Sequence, residues 1–509
     1  MTREKFYITT PLYYVNGELH IGGAYTTLAA DILARWHRAH GKDVFFLTGS
    51  DEHGQKIERE AAEHGMAPKE FADSIVQKFH ELWEALDITF DHFIRTTDDY
   101  HERAVGEVFK KLMDSGDIYL GRYEGLYCTP CETFVATSED GLCPSCGREL
   151  ERISEENYFF RLSKYGDALL ELIDGNPSFI LPPYRRAEVR NRVAEGLEDI
   201  SVSRSTFKWG VPVPGDPDHI VYVWFDALLN YVTALGAPDD TERFRRYWPA
   251  DLHLIGKDII WFHCVIWPAM LMALGYEPPR TVFAHGWWTI NGEKISKSKG
   301  NIVYPREVVS LYGADTLRFF LFREVPFGRD GNFTFEAVDN RYHQELANGL
   351  GNLVMRTASM ITRYFGGKLP SPAVEDEGAK ALAALASAMP AKVREAMERV
   401  DLGAALEHIW NVVREANRFV ENSKPWVLAK EGETERLGTV LYTLAETSRL
   451  LLVELYPFLP RTAPVGLAQL GAEWDPLDAE PLERWGVLKP GSPVTKGKPL
   501  FPRVERPGV

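Results

Sequence analysis

An α/β fold is predicted, with a doubly wound parallel sheet that is split once by an insert and followed by an all-α bundle. Three observations predict it. Short apolar strands alternate with amphipathic helices over residues 6–47, the same rhythm returns after about residue 222, and beyond residue 336 only helical periodicity remains. A chain of 509 residues also exceeds one compact core, so several units are expected.

The first unit opens with an apolar strand at 6–8. A helix over 25–40 follows with Leu28, Ile32 and Trp36 on one face, and Gly41 stops it before a second strand at 44–47. Helical stretches at 68–85 and 101–115 flank a short strand at 92–94. Ahead of the first helix stands His20-Ile21-Gly22-Gly23, with two residues that make poor helix. Glycine there lets a ligand approach the backbone without a Cβ in the way, and the N–H groups and dipole of a helix start suit an anion. Taken alone, the same four residues also fit a plain loop with turn glycines.

From residue 118 to about 222 the pattern changes to aromatic-rich short strands and turns, which marks the insert. Four of the five cysteines fall here, as Cys128-x2-Cys131-x11-Cys143-x2-Cys146. Two such knuckles place four thiolates around one Zn²⁺ and leave no open position, so the role is structural. Two disulfides or two redox pairs are the alternatives, disfavoured in a reducing compartment and without a thioredoxin-like context. Cys264 stands apart in an apolar helix and is expected to be a core cysteine.

The βα rhythm resumes with strands at 220–224, 252–255 and 282–284 and helices at 226–235 and 258–274. Strand ends from both sides of the insert would then form a common crevice. Asn291-Gly292 between strand-like segments predicts a tight hairpin, which presents Lys294-Ile295-Ser296-Lys297-Ser298-Lys299-Gly300-Asn301 as a loop. Its lysines suit a polyphosphate, although a solvated basic turn has the same composition. Helical patterns at 342–365, 377–400, 404–422 and 434–459 predict an antiparallel bundle, with a proline-rich tail packing back behind it.

Composition narrows the function classes. The chain is 45% hydrophobic and 26% charged, and its net charge of −16 argues against a surface that binds polyanions globally. No run reaches the ~18 apolar residues of a membrane span. The N-terminus MTREKFYITT lacks the apolar core of a signal peptide, so a cytoplasmic location is expected.

The stretches TTPLYYVNGELHIGG, LTGSDEHG, YCTPC, YVWFDALLNY, HLIGKDIIWFHCVIWPAM and KISKSKGN resemble, in order, the successive blocks of the methionyl-tRNA synthetase family within the class I aminoacyl-tRNA synthetases. The resemblance covers nearly the whole chain. It implies a Rossmann-type catalytic domain in two halves, residues 1–116 and 223–288, around a connective insert at 117–222 that carries the four-cysteine zinc knuckles. The Lys-Ile-Ser-Lys-Ser loop and a stem-contact region then occupy 289–340, a helical anticodon-binding domain 341–465 and the tail 466–509.

The activity implied is ATP-dependent ligation of L-methionine to tRNA(Met) through methionyl adenylate, with release of AMP and pyrophosphate, for use in translation. By the same resemblance His20, Lys294 and Lys297 are catalytic, and His20, Gly22, Gly23, Gly256, Asp258 and Lys297 bind ATP, which brings Mg²⁺. Leu12, Tyr14, Trp224, Ala227, Tyr231, Phe262, His263 and Trp267 map onto the methionine pocket, and Asp51 onto the carboxylate that holds the ammonium. Asn352, Arg356 and Trp426 match the anticodon-reading residues, and Cys128, Cys131, Cys143 and Cys146 the ligands of one structural zinc. One position departs from the pattern: Gly23 stands where the family usually has a second histidine, which removes a donor to the phosphates.

The insert of about a hundred residues is shorter than the editing insert of the related leucyl, isoleucyl and valyl enzymes. No oligonucleotide-binding domain of the kind some relatives use to dimerise follows the tail PLFPRVERPGV, so a monomer is expected. The rival readings are another class I synthetase of the same subclass, a zinc-knuckle RNA-binding protein without catalysis, and a nucleotidyltransferase on the same fold. The second leaves the paired nucleotide motifs unexplained, and the third gives the long helical region no task.

Overall fold

The structure is a computed structural model that describes residues 3–128, 133–135, 138, 141–144, 147–290, 292–295 and 301–504. The chain enters through strand β1 (Lys5–Thr9) and the short β2 (Tyr13–Tyr14), runs along helix α1 (Ile21–Ala39) and returns through β3 (Asp43–Asp51). Next come β4 (His92–Arg95) and helix α2 (Asp99–Asp114). In the insert, β5 (Ile118–Cys128), β6 (Thr133–Val135) and β7 (Glu151–Phe160) pair antiparallel.

The short β8 (Ile180–Leu181) lies within the span assigned to the insert, yet it pairs with the main sheet. After helices α3 (Val223–Leu228) and α4 (Asn230–Thr233), β9 (Leu252–Gly256) and β10 (Val282–His285) complete that sheet. Its order is β2-β3-β1-β9-β10-β8 with β4 added on β3, and every pairing is parallel. Parallel strands covered on both faces read as continuous apolar runs, as Phe6-Tyr7-Ile8 and Phe45-Phe46-Leu47 do, and all six are buried.

Three expectations about local structure are corrected. The run Ile220-Val221-Tyr222-Val223-Trp224 has strand propensity, but Val221 and Ile220 pair antiparallel with Ser203 and Arg204 in a separate small sheet. The backbone turns helical after Tyr222, whose carbonyl accepts from Asp226 N–H, so Trp224 sits on α3. The helix expected over 258–274 is broken into a 3₁₀ turn Lys257–Ile259, a π turn Phe262–Ile266 and the α-helix Trp267–Leu274. Pro268 has no N–H to give, and the helix changes its bonding just before it. Finally, α1 begins at Ile21 rather than at residue 25.

The hairpin read from Asn291-Gly292 is present: Thr289 lies opposite Lys294 and Ile290 opposite Glu293, with Gly292 at φ +80°. Beyond it come α5 (Ala314–Arg323), α6 (Asn352–Phe365), α7 (Glu377–Glu398), α8 (Leu402–Ser423) and α9 (Thr434–Leu455). Helix α6 is preceded by a π-helical turn, Tyr342–Gly351, so the helix expected over 342–365 changes register midway. Asp376 and Asp401 cap α7 and α8 by accepting from Ala379 and Ala404 N–H groups. Part of the tail lies against α9. Glu446 on α9, itself paired with Arg449, accepts the N–H groups of Gly486, Val487 and Leu488 at 2.8 to 3.1 Å.

One buried ion pair joins the sheet to the bundle. Asp31 on α1 receives Arg318 of α5 at 2.6 Å and Arg35 at 2.8 Å, while its other oxygen accepts from Thr89 N–H and hydroxyl at 2.7 Å. Arg318 also donates to the carbonyls of Leu86 and of Pro457, just beyond α9. Removing one partner of such a pair leaves a buried charge short of its counter-charge. Arg318→Met is therefore expected to cost about 3–5 kcal/mol. Thermal denaturation measures this, and a midpoint within a degree of the parent would show that the junction does not depend on it.

Candidate active site

The carboxyl ends of β1, β9 and β10 and the start of α1 surround a cavity of about 430 Å³. Its position follows from the topology. In an open parallel sheet the loops leaving neighbouring central strands diverge to opposite faces and leave a crevice beyond the strand ends. Of the residues expected to hold methionine, Leu12, Tyr14, Asp51, Trp224, Ala227, Tyr231 and His263 line it. Of those expected to hold ATP, His20, Gly22, Gly23, Gly256 and Asp258 do. Both sets share one continuous cavity.

The helix start has a physical explanation. His20 is the N-cap of α1, and its Nδ1 accepts from Gly22 N–H at 3.0 Å. A Cβ on residue 22 would lie 2.8 Å from His20 Cε1, so the capping ring and a larger residue 22 exclude one another. With Nδ1 engaged as an acceptor, a neutral His20 ring carries its proton on Nε2, which makes that nitrogen a donor. At Gly23 the one close contact of a Cβ would be the terminal Cδ2 of Leu19, at 2.9 Å, and that methyl can rotate away. Packing therefore demands glycine at 22 more strictly than at 23.

The hydrogen bonds around the cavity fix neutral histidines. His263 Nδ1–H donates to the Ile259 carbonyl at 3.0 Å, so its Nε2 accepts from the Tyr231 hydroxyl at 2.8 Å. Burial pushes His263 down to about 4. His285 Nδ1–H donates to the Gly286 carbonyl, and its Nε2 accepts from Thr26. His253 accepts from Trp267 Nε1–H and donates to Thr9, and burial holds it well below the usual imidazole range. The wall of Trp224, Tyr231 and the neutral His263 is thus aromatic, polarizable and uncharged, a lining suited to an apolar side chain.

Two expected pocket residues are not part of that lining. Phe262 stacks on Trp224 with ring centroids 3.9 Å apart and 12° between planes, and Trp267 is fully buried against Tyr231 and His253. Lys297 falls outside the described residues, and Lys294 is placed only by its backbone in the hairpin. Residues missed by the sequence reading include Tyr13, Thr26, Asn230, His285 and Trp287, which also line the cavity. His285 ends β10 and Trp287 follows it, so the rule that ligands sit at carboxyl strand ends would have pointed to them. The Trp287 indole donates to Asp258 Oδ1 at 3.0 Å, and Lys257 lies over its ring at 4.3 Å and binds Asp330.

In the insert, Cys128 and Cys143 are buried in one small cluster with Val135, whereas Cys131 and Cys146 lie outside the described residues. Gly147 N–H donates to the Cys143 carbonyl at 2.8 Å in a turn with Gly147 at φ +70°. Cys128 and Cys143 thus share one buried cluster of the insert. Cys264 is buried in the core, and burial pushes its thiol up.

In the bundle, Asn352 and Arg356 stand one turn apart on α6. Arg356 binds Glu421 at 2.9 Å and lies 5.6 Å from the centroid of the Trp426 ring. Trp426 is 40% exposed, unlike the core aromatics around it.

A family model described as tRNA synthetases class I (M) matches residues 6–155 and 149–358. The chain is 54% identical over 507 residues to a methionine–tRNA ligase of Caldanaerobacter subterraneus subsp. tengcongensis, spanning 99% of this chain and 79% of the relative. It is 48% identical to that of Thermotoga maritima, with 98% and 80% covered. Its structure is similar to that of Mycobacterium tuberculosis methionyl-tRNA synthetase in complex with methionyl-adenylate, with a TM-score of 0.95 at 43% identity over 98% of this chain and 100% of that one.

The neutral histidines predict an acid response. His263 sits at about 4 in the folded chain against 6.5 as its ordinary value, so between these pH values the unfolded chain binds the proton first. Stability should fall as pH drops through that window, at up to about 1.4 kcal/mol per unit for each such histidine. His53 is raised to about 10 and so adds no slope below 6.5. Thermal midpoints between pH 7 and 4.5 test this, and a flat profile would contradict it.

Proposed function

Because the chain belongs to the class I tRNA synthetases of the methionyl family, we propose that the single cavity holds methionine and ATP end to end for adenylate formation, and that the helical bundle reads the tRNA. The activity is ATP-dependent activation of methionine followed by charging of tRNA. The observation that carries this reading is the continuity of the cavity from the Trp224–Ala227–Tyr231–His263 wall to the Gly22-Gly23 helix start.

In the first step a methionine carboxylate oxygen attacks the α-phosphorus of ATP. The bond from that phosphorus to the bridging oxygen breaks, and pyrophosphate leaves. In the second, a ribose hydroxyl of the terminal tRNA adenosine attacks the methionyl carbonyl and AMP leaves. Such displacements need positioning and charge stabilisation rather than a protein nucleophile. Asp51, buried at the end of β3, takes the substrate ammonium. His20, whose Nε2 is left as a donor by the helix cap, faces the phosphates. Lys297 neutralises the departing pyrophosphate, and Lys294 supports it. Gly22, Gly256 and Asp258 take the adenosine, Gly23 lies on the ATP path beside His20, and Mg²⁺ would arrive with the triphosphate.

Cys128, Cys131, Cys143 and Cys146 would hold one Zn²⁺. With four protein ligands it supplies cross-linking to the insert and no chemistry. The burial of Cys128 and Cys143 in one cluster supports this assignment. Metal analysis should find about one zinc per chain, and its absence from protein prepared without chelators would remove the site.

For tRNA, Trp426 would stack on a splayed anticodon base, with Asn352 and Arg356 bonding base edges. The exposure of Trp426 beside Arg356 supports this. A cytoplasmic location, where charged tRNA serves translation, completes the reading.

The test separates the two steps. Methionine-dependent exchange between pyrophosphate and ATP should be present, and Lys297→Ala should reduce it by about 10²-fold or more. Trp426→Ala should retain exchange and lose tRNA charging. Full exchange in the first variant would take Lys297 out of the mechanism, and an equal loss of both steps in the second would make Trp426 structural.

A further inference from the structure

Asp226 is buried within α3, between Trp224 and Ala227, both of which line the cavity. Its two carboxylate oxygens face different parts of the chain. Oδ2 accepts from His53 Nδ1–H at 2.7 Å, and Oδ1 accepts from His101 Nε2–H at 2.9 Å. His53 lies two residues beyond Asp51, in the turn that leaves β3, and His101 lies on α2. The outer nitrogens are engaged as well: His101 Nδ1 meets the Thr233 hydroxyl on α4 at 2.7 Å, and His53 Nε2 meets Glu102 at 3.3 Å.

A buried charged cluster of this kind is costly to assemble, and well-packed apolar residues would hold three elements together at least as firmly. What ions offer instead is direction and fixed spacing. Burial works against the charge of His53, yet Asp226 and Glu102 raise it to about 10, while the two imidazoles hold Asp226 below the usual carboxylate range. The turn that carries His53 has no slack of its own. Arg95 binds Glu52 at 2.6 and 2.8 Å, and Trp209 bridges the Glu52 carbonyl and Gly54 N–H. A shift of α3 would therefore stretch the Asp226 bonds, because the turn cannot follow it.

The geometry points to Asp226, with His53 and His101, as a positioning clamp that sets the spacing between the Asp51 carboxylate and the Trp224–Ala227 wall, and thereby the length of side chain the cavity accepts. This inference rests on the cavity being the methionine site. The substrate ammonium and its side-chain end are gripped by two parts of the chain far apart in sequence, and the clamp is the bonded link between those parts. Shape alone discriminates a one-methylene difference by only ~10–200-fold, so small changes in spacing read out directly as selectivity.

The experiment measures amino-acid-dependent pyrophosphate exchange with methionine and with ethionine, one methylene longer, in the parent and in Asp226→Asn and His53→Asn. Both variants should raise KM for methionine about tenfold, leave KM for ATP within about twofold, and lower the preference for methionine over ethionine by about fivefold or more. If the variants lose thermal stability while both KM values and the preference stay at parental values, the cluster is only structural and the inference is overturned. His53→Asn carries the same test where Asp226→Asn does not fold. An inactive parent overturns the methionine reading itself, whereas an active parent with unaffected variants overturns only the clamp.

Discussion

Ile8 lies opposite Leu252 and Thr9 opposite His253, and this short parallel seam joins halves of the sheet that are separated in sequence by the entire insert. Parallel neighbours need a crossover, and nothing in the physics limits the crossover to one helix. Loop closure grows more costly only slowly with length, so the antiparallel insert strands can be accommodated within it. What the seam cannot tolerate is a shift in register. A one-residue slip would turn the Thr9–His253 hydrogen bond, and with it the Trp267–His253–Tyr231 packing, to the opposite face of the sheet.

From that seam the chemistry of the cavity follows. Strand β1 delivers the loop that ends in His20, and β9 delivers Gly256 and Asp258. In the adjacent strand β10, His285 bonds back to Thr26 of α1. Glycine is required where backbones nearly touch. At Gly286 a Cβ would lie 2.3 Å from the Arg329 carbonyl, so the loop that follows α5 can cross the strand end only there. Helix α1 carries the same order outward, with its N-terminus capped by His20 and its middle bonded through Asp31 and Arg318 to the bundle.

Much of this was legible in the residues, for reasons that differ by element. Helix α1, the Asn-Gly hairpin and the three long helices α7 to α9 follow from local periodicity and turn chemistry. The start of α1 was misplaced because glycines argue against helix, while the cap that overrides them depends on the direction of one imidazole. Ile180–Leu181 was invisible as a sheet strand because two residues carry no period. The run from Ile220 to Trp224 misled because β-branched and aromatic propensity yields to tertiary pairing. At the site, motif resemblance pointed to much of the lining, but the place of Phe262 and Trp267 outside it depends on how the π turn Phe262–Ile266 and the helix after it rotate their side chains, which has no signature in sequence. Asp226, His53 and His101 meet only in three dimensions.

The central claim is that one cavity, built across the seam, holds the amino acid and the nucleotide together. A crystal structure with a non-hydrolysable analogue of methionyl adenylate tests it most directly. The account predicts the thioether among Trp224, Ala227, Tyr231 and His263, the ammonium at Asp51, and the adenosine against Gly22 and Gly256. An analogue whose adenosine lies away from the start of α1, or whose side chain lies outside the Trp224 wall, would contradict it.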